Sequence, residues 1–212
     1  MRREPKKLPG VDSTKAITMS VNTTQPVRLY MEANPNPNSL KFVADRMLVA
    51  AGQTFDFADK KAAEASPLAQ ELFELPYVER VFVMSNFVTV TKNENTEWQE
   101  VQLEVKGVIE RYLSTGKPLV TIEAVKPATK PADEETDIER QIKDILDEYI
   151  RPAVEGDGGA IQFHSFENGT VKVLLQGACS GCPSSTITLK AGIENLLKRM
   201  VPGVETVEAE GV

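Results

Sequence analysis

The stretch Gly159–Lys190 reads GAIQFHSFENGTVKVLLQGACSGCPSSTITLK, and its reading decides the architecture of the second half of the chain. Ile161, Phe163, Val171, Val173 and Leu175 alternate along two strands, with Asn168-Gly169 between them as a strong hairpin signal. His164 shares an alternating face with Gln162 and Phe166, opposite Ile161 and Phe163, so it reads as a strand-surface side chain. After the second strand come Cys179 and Cys182, and Pro183 then suits the first turn of a helix. That helix spans Ser184 to Met200, its apolar face carried by Leu189, Ile193, Leu196, Leu197 and Met200.

Working outward, Ile138, Ile142, Ile145, Leu146, Tyr149 and Ile150 recur at helical spacing, and Pro152 is expected to end that helix soon after. Glu134, Glu135, Asp137 and Glu139 crowd its start, where the helix dipole favours negative charge. Asp157-Gly158-Gly159 makes a turn, in which Asp157 supplies turn chemistry. Without a following Gly-Lys-Ser/Thr the glycines are not a phosphate loop. Pro202-Gly203 precedes a closing strand over Val204–Glu208. The order αββαβ describes a compact two-layer domain over residues 137–212.

The first half reads as a separate unit over residues 20–124. Strands at Arg28–Ala33 and Leu40–Val43 flank Asn34-Pro35-Asn36-Pro37-Asn38-Ser39, a hairpin connection. Ser66-Pro67 caps and opens a helix whose apolar face is Leu68, Leu72, Phe73 and Leu75. Val81, Val83, Val88 and Val90 alternate about Ser85-Asn86, and Trp98, Val101, Val105, Val108 and Tyr112 follow at helical steps. The fold class is therefore α+β, two small two-layer sandwich domains, the first ββ(β)αββα. They are joined by a Pro- and charge-rich linker over residues 125–136 and preceded by an extension over residues 1–19, with Met19 as an alternative start. Glu71, Glu74 and Glu79 read as solvated faces, and no residue of this half stands out as catalytic.

Composition narrows the function. Among 212 residues, 41% are hydrophobic and the net charge is −7, negative in both main segments, which argues against nucleic acid as a partner. No apolar run approaches a membrane span. One histidine excludes multi-histidine zinc sites and leaves little material for hydrolase triads. The chemistry rests on the Cys pair or on surfaces. Residues 1–18 lack the apolar core of an export signal and the amphipathic pattern of a transit helix, so a cytoplasmic, reducing location is expected.

Three readings of Cys179 and Cys182 stay open on spacing alone. Gly177, Gly181 and the serines leave room for both sulfurs to point outward from an exposed tip, and the nearby helix start favours thiolate. Two such tips about a two-fold axis would supply the four thiolates of a closed metal or iron–sulfur site. Thiol–disulfide exchange is the second reading, although αββαβ lacks a clear βαβ unit. Burial as small hydrophobes is the third, and the Gly and Ser neighbours argue against it.

Gly177–Lys190 resembles the C-terminal domain of NifU-like (Nfu) iron–sulfur proteins. Ile150-Arg151-Pro152, Asp157-Gly158-Gly159 and Gly192-Ile193-Glu194 extend the likeness over most of residues 137–209. The first half is similar to the family's N-terminal domain through Pro35-Asn36-Pro37-Asn38-Ser39-Leu40-Lys41-Phe42, Ser66-Pro67-Leu68-Ala69 and Phe87-Val88-Thr89-Val90 before Trp98. The resemblance implies a non-enzymatic scaffold or carrier of a [4Fe–4S] cluster, with a [2Fe–2S] form left open. Cys179 and Cys182 would be the ligands, shared across a homodimer. Clusters would come from an upstream assembly scaffold and pass to apo iron–sulfur clients. The extra cysteine-rich modules of full-length nitrogen-fixation NifU proteins are missing from this sequence, so carriage is expected over de novo assembly. Ala160 departs from the family pattern, where many relatives carry Asp, and reads as a change to the turn. The alternative function is a thiol–disulfide oxidoreductase using the same pair.

Overall fold

The computed structural model describes residues 27–121, 136–180 and 183–211, without side chains for 183–186. The expected extension over residues 1–19, most of the linker over residues 125–136, and Cys182 lie outside the described residues. Two sheets organise the rest, one in each half, as the α+β reading expects.

The N-terminal sheet has the order β1-β2-β5-β4-β3 and is antiparallel throughout. Its strands are β1 (Leu29–Ala33), β2 (Ser39–Ala44), β3 (Thr54–Phe57), β4 (Val78–Met84) and β5 (Phe87–Lys92). Two helices, α1 (Pro67–Phe73) and α2 (Trp98–Ser114), cover one face. Ser66 caps α1 as its sequence suggests. Its Oγ accepts from the Ala69 N–H at 3.2 Å and donates to the Leu119 carbonyl at 2.7 Å. Beneath these helices Phe42, Leu68, Leu72, Val81, Val83, Val105 and Ile109 form a closed core, and Trp98 meets Phe42 edge-on at 6.2 Å. Glu71, Glu74 and Glu79 are exposed.

The C-terminal sheet has the order β6-β7-β8, from β6 (Gly159–Glu167), β7 (Thr170–Gly177) and β8 (Thr206–Gly211). Helices α3 (Asp137–Ile145), α4 (Arg151–Gly156) and α5 (Pro183–Met200) pack on its core face, around Ile142, Ile161, Val173, Leu175, Ile193 and Leu197. Three features depart from the sequence reading. Pro152 does not stop the helical run. A π-helical turn over Leu146–Ile150 intervenes, and Pro152 sits in the first turn of α4, where a missing N–H costs little. A register shift between Phe163 and Ser165 leaves His164 exposed on a bulge, and both Phe163 and Phe166 then lean on the core. Finally, β8 runs parallel to β7 with α5 as the crossover, so a βαβ unit does exist at the Cys loop. No helix among the described residues is long and apolar enough to cross a membrane.

Candidate functional site

Cys179 leaves the end of β7 and turns inward. It is 6% exposed and belongs to the C-terminal core, which corrects the expectation of an exposed tip. Small neighbours allow this rather than prevent it: a Cβ on Gly159 would lie 2.9 Å from the Cys179 Sγ and 2.6 Å from the Gln176 carbonyl, so only glycine lets the sulfur tuck against β6. The turn is closed by Ser180 N–H donating to the Gly177 carbonyl at 3.0 Å and Ala178 N–H to the Gly158 carbonyl at 3.3 Å. Gly177 to Ser180 are all buried.

Much of that cover comes from the N-terminal sheet, through the face that carries no helix. Thr89 Oγ1 donates to the Gly158 carbonyl at 2.7 Å. Asn36 Nδ2 donates to the Ala178 carbonyl at 3.0 Å, while its Oδ1 accepts from the Asn38 N–H and so holds its own loop. The Gly177 N–H donates to Asp56 Oδ2 at 3.0 Å, and Lys41 Nζ to the Gly156 carbonyl at 3.2 Å. Farther along, Gln162 Nε2 donates to Thr54 Oγ1, which donates to Gln176 Oε1. Phe82, Met84 and Phe87 close over Ala160 as an apolar patch. Burying side chains of this size is worth roughly 1.5–3 kcal/mol each, against about 0.5–1.5 kcal/mol for a net hydrogen bond. The patch therefore supplies the attraction and the polar contacts fix the register.

Electrostatics at this contact are mixed. Burial pushes the Asp56 carboxyl above its ordinary value, opposed by Arg80, whose Nη1 lies 2.9 Å away, and by the Gly177 N–H. Asp56 Oδ1 is buried without a hydrogen-bond partner. Beside Ser180 a cleft of about 680 Å³ opens, walled by Asn36, Lys60, Arg80 and Lys92 with Asp59, Glu79 and Glu94. No group of three or more His, Cys, Asp or Glu side chains among the described residues is placed to hold a metal.

Of the residues singled out from sequence, Cys179 lies at this contact, whereas His164 stands apart on its bulge. Asp157 ends α4, as turn chemistry requires. Ala160 is not merely part of a turn: fully buried, it touches the opposite sheet, where an Asp would place a charge against Phe82, Met84 and Phe87. Asn36, Asp56, Thr89 and Lys41 were not foreseen. The available signal was polarity inside otherwise apolar strands, Lys41 between Leu40 and Phe42 and Thr89 between Val88 and Val90.

The two halves match two family profiles, "Scaffold protein Nfu/NifU N terminal" over residues 29–116 and "NifU-like domain" over residues 142–208. In Drosophila willistoni, the "NFU1 iron-sulfur cluster scaffold homolog, mitochondrial" is 39% identical over 208 residues, covering 94% of this chain and 72% of that protein. The chain belongs to the Nfu family of iron–sulfur scaffold proteins. The Drosophila persimilis protein of the same name is 43% identical over 180 residues, 85% of this chain, and this chain spans only 64% of its length. A solution structure of a NifU-like protein from Saccharomyces cerevisiae overlaps 58% of this chain and all of its own, at 19% identity and a TM-score of 0.40, too low to bear on the fold. The family is one of scaffolds, not enzymes. The cytoplasmic expectation is overturned, because relatives near 40% identity are mitochondrial by name; a missing leader pattern in residues 1–18 was too weak a ground for it.

Proposed function

We propose that this Nfu-family chain carries an iron–sulfur cluster, most readily [4Fe–4S], on Cys179 and Cys182 of two copies, and hands it to apo-proteins. The supporting observation is the Cys179-Ser180-Gly181-Cys182 pair at the β7–α5 junction, within the NifU-like match. One chain supplies two thiolates and a closed cluster needs four, so the cargo is held at a homodimer interface. The cluster arrives from an upstream assembly scaffold and leaves by ligand exchange with a client's cysteines. Residues 20–124 and 137–212 act as separate domains in this reading. Anaerobic reconstitution with iron and sulfide yields a brown dimer; a colourless monomer overturns the proposal. Cys179→Ser or Cys182→Ser abolishes the colour, and His164→Ala leaves it intact.

The β7–α5–β8 crossover gives one point to a second reading, thiol–disulfide exchange, since a Cys-x-x-Cys beside a βαβ unit is also a redox arrangement. That reading requires the monomer to reduce disulfides catalytically through a reversible Cys179–Cys182 bond, each turnover moving two electrons from an external dithiol. Anaerobic purification with iron, sulfide and zinc analysis beside a mass measurement separates the two, and also detects a zinc-bridged dimer.

A further inference from the structure

We propose that the helix-free face of the N-terminal sheet is a reversible cap on the Cys loop, and that undocking it is the step that makes Cys179 available. The inference rests on the carrier reading and adds its regulation. Docked, the loop is held at successive peptide groups: the Gly177 N–H by Asp56, the Ala178 carbonyl by Asn36, and the Gly158 carbonyl, which also closes the loop through Ala178 N–H, by Thr89. The Phe82 ring lies so close that a Cβ on Gly177 would come within 2.7 Å of it. Ser180, the residue after Cys179, is also buried. Among the described residues, the Cys179 sulfur packs against Gly159 in the C-terminal core, and the N-terminal sheet holds the Gly158, Gly177 and Ala178 backbone beside it.

The face itself is built for a partner that comes and goes. Its apolar patch is small, and it is ringed by side chains that water would also satisfy: Asn36, Lys41, Thr54, Asp56 and Thr89. Because both halves lie on one chain, the contact closes without loss of a second molecule's freedom, so even a modest surface is well populated. Cluster capture by two loops then selects the open form, and apparent cluster affinity falls by the fraction of chains that are open.

The test uses the full-length apo-protein under anaerobic reducing conditions. Cys179 and Cys182 are pulse-alkylated with iodoacetamide and read separately by peptide mass, in wild type, Ala160→Asp and the double variant Asn36→Ala/Thr89→Val. Cys179 labelling is expected to rise at least about tenfold in both variants, the change expected when two buried hydrogen bonds are removed or a charge is forced into an apolar contact. Trp98 fluorescence should stay unchanged, and the rate of loading with iron and sulfide should rise in step. Should Ala160→Asp lose circular dichroism, the double variant, which changes no C-terminal residue, decides. Equal Cys179 labelling in wild type and the double variant overturns the cap, even if the wild type loads a cluster normally. Faster labelling with no cluster in any variant supports the cap and overturns the carrier reading instead.

Discussion

Strands β4 and β7 are both interior strands of their sheets but are buried differently. Along β7, Val171, Val173 and Leu175 are buried while Lys172, Leu174 and Gln176 stay partly open. Along β4, Val81, Phe82, Val83 and Met84 are all buried, and β5 adds Phe87, Val88, Thr89 and Val90. Beyond Gly159–Ile161 the C-terminal sheet has mainly one covered face, whereas β4 and β5 are covered on both. The second cover of β4 and β5 is the C-terminal half itself, which meets them through β7 and Ala160. The N-terminal half is thus a folded core with a working surface, and the C-terminal half is a smaller core with a cysteine set into its edge.

Core truncations on either side give the largest effect that sharpens this contrast. Leu72→Ala and Leu197→Ala each remove a fully buried side chain, at a cost of about 2–5 kcal/mol. Trp98 is the only tryptophan and lies in the N-terminal core. In urea, Leu197→Ala should move the circular-dichroism transition well below the Trp98 fluorescence transition, whereas Leu72→Ala should move the fluorescence transition. Coincident shifts in both variants would show that the halves unfold as one unit.

A smaller loss is expected from Gly159→Ala, about 1–3 kcal/mol, because the new methyl meets the Gln176 carbonyl and the Cys179 sulfur. Its mark is Cys179 alkylation that speeds up without any change at Trp98. The two helix caps give a paired comparison below that. Ser66→Ala removes a buried hydroxyl with two partners and should cost about 1–2 kcal/mol. Thr136→Ala breaks an exposed capping box, in which Glu139 N–H and Thr136 N–H are the two donors, and should cost about 0.5–1 kcal/mol by urea titration. A larger loss at Thr136 would contradict the difference in burial.

The smallest effect is a pH dependence confined to the C-terminal half. Lys198, with the Val207 N–H and the Thr206 hydroxyl, holds the Glu194 carboxyl down at about 2, below its ordinary 4.5. Its stabilising contribution is complete above pH 4.5 and is lost as pH falls through about 2. The stability gap between wild type and Glu194→Gln should close over that window and be flat from pH 5 to 7. A gap that widens on acidification would reverse the assigned sign.

Local chemistry made part of this structure legible. Ser66-Pro67 announced α1, Asn168-Gly169 announced the β6–β7 hairpin, and Asn168 indeed takes a positive φ of 50°. Helical spacing from Trp98 to Tyr112 found α2. What stayed hidden depends on contacts between residues far apart in the chain. Alternation through Val81 and Val83 is real, but it could not say that Phe82 and Met84 also meet a partner, because that partner, Ala160, lies some way along the chain. The parallel setting of β8 follows from how α5 returns, which short-range pattern does not encode. At the site, the Cys pair was plain from sequence, yet the inward turn of Cys179 was not. Glycine beside a cysteine suggests exposure, and here it is what permits close packing.

The grip on the Cys loop has an asymmetry with an evolutionary consequence. Across the contact between the halves, the bonds at Gly156, Gly158, Gly177 and Ala178 use main-chain atoms of the C-terminal half and the side chains of Lys41, Thr89, Asp56 and Asn36. Point mutation cannot delete a peptide carbonyl, so heritable tuning of these four hydrogen bonds falls to the N-terminal partner. Any foreign polypeptide that presents an amide, a hydroxyl and a carboxylate at matching positions would find the same handholds waiting, whatever the rest of its sequence.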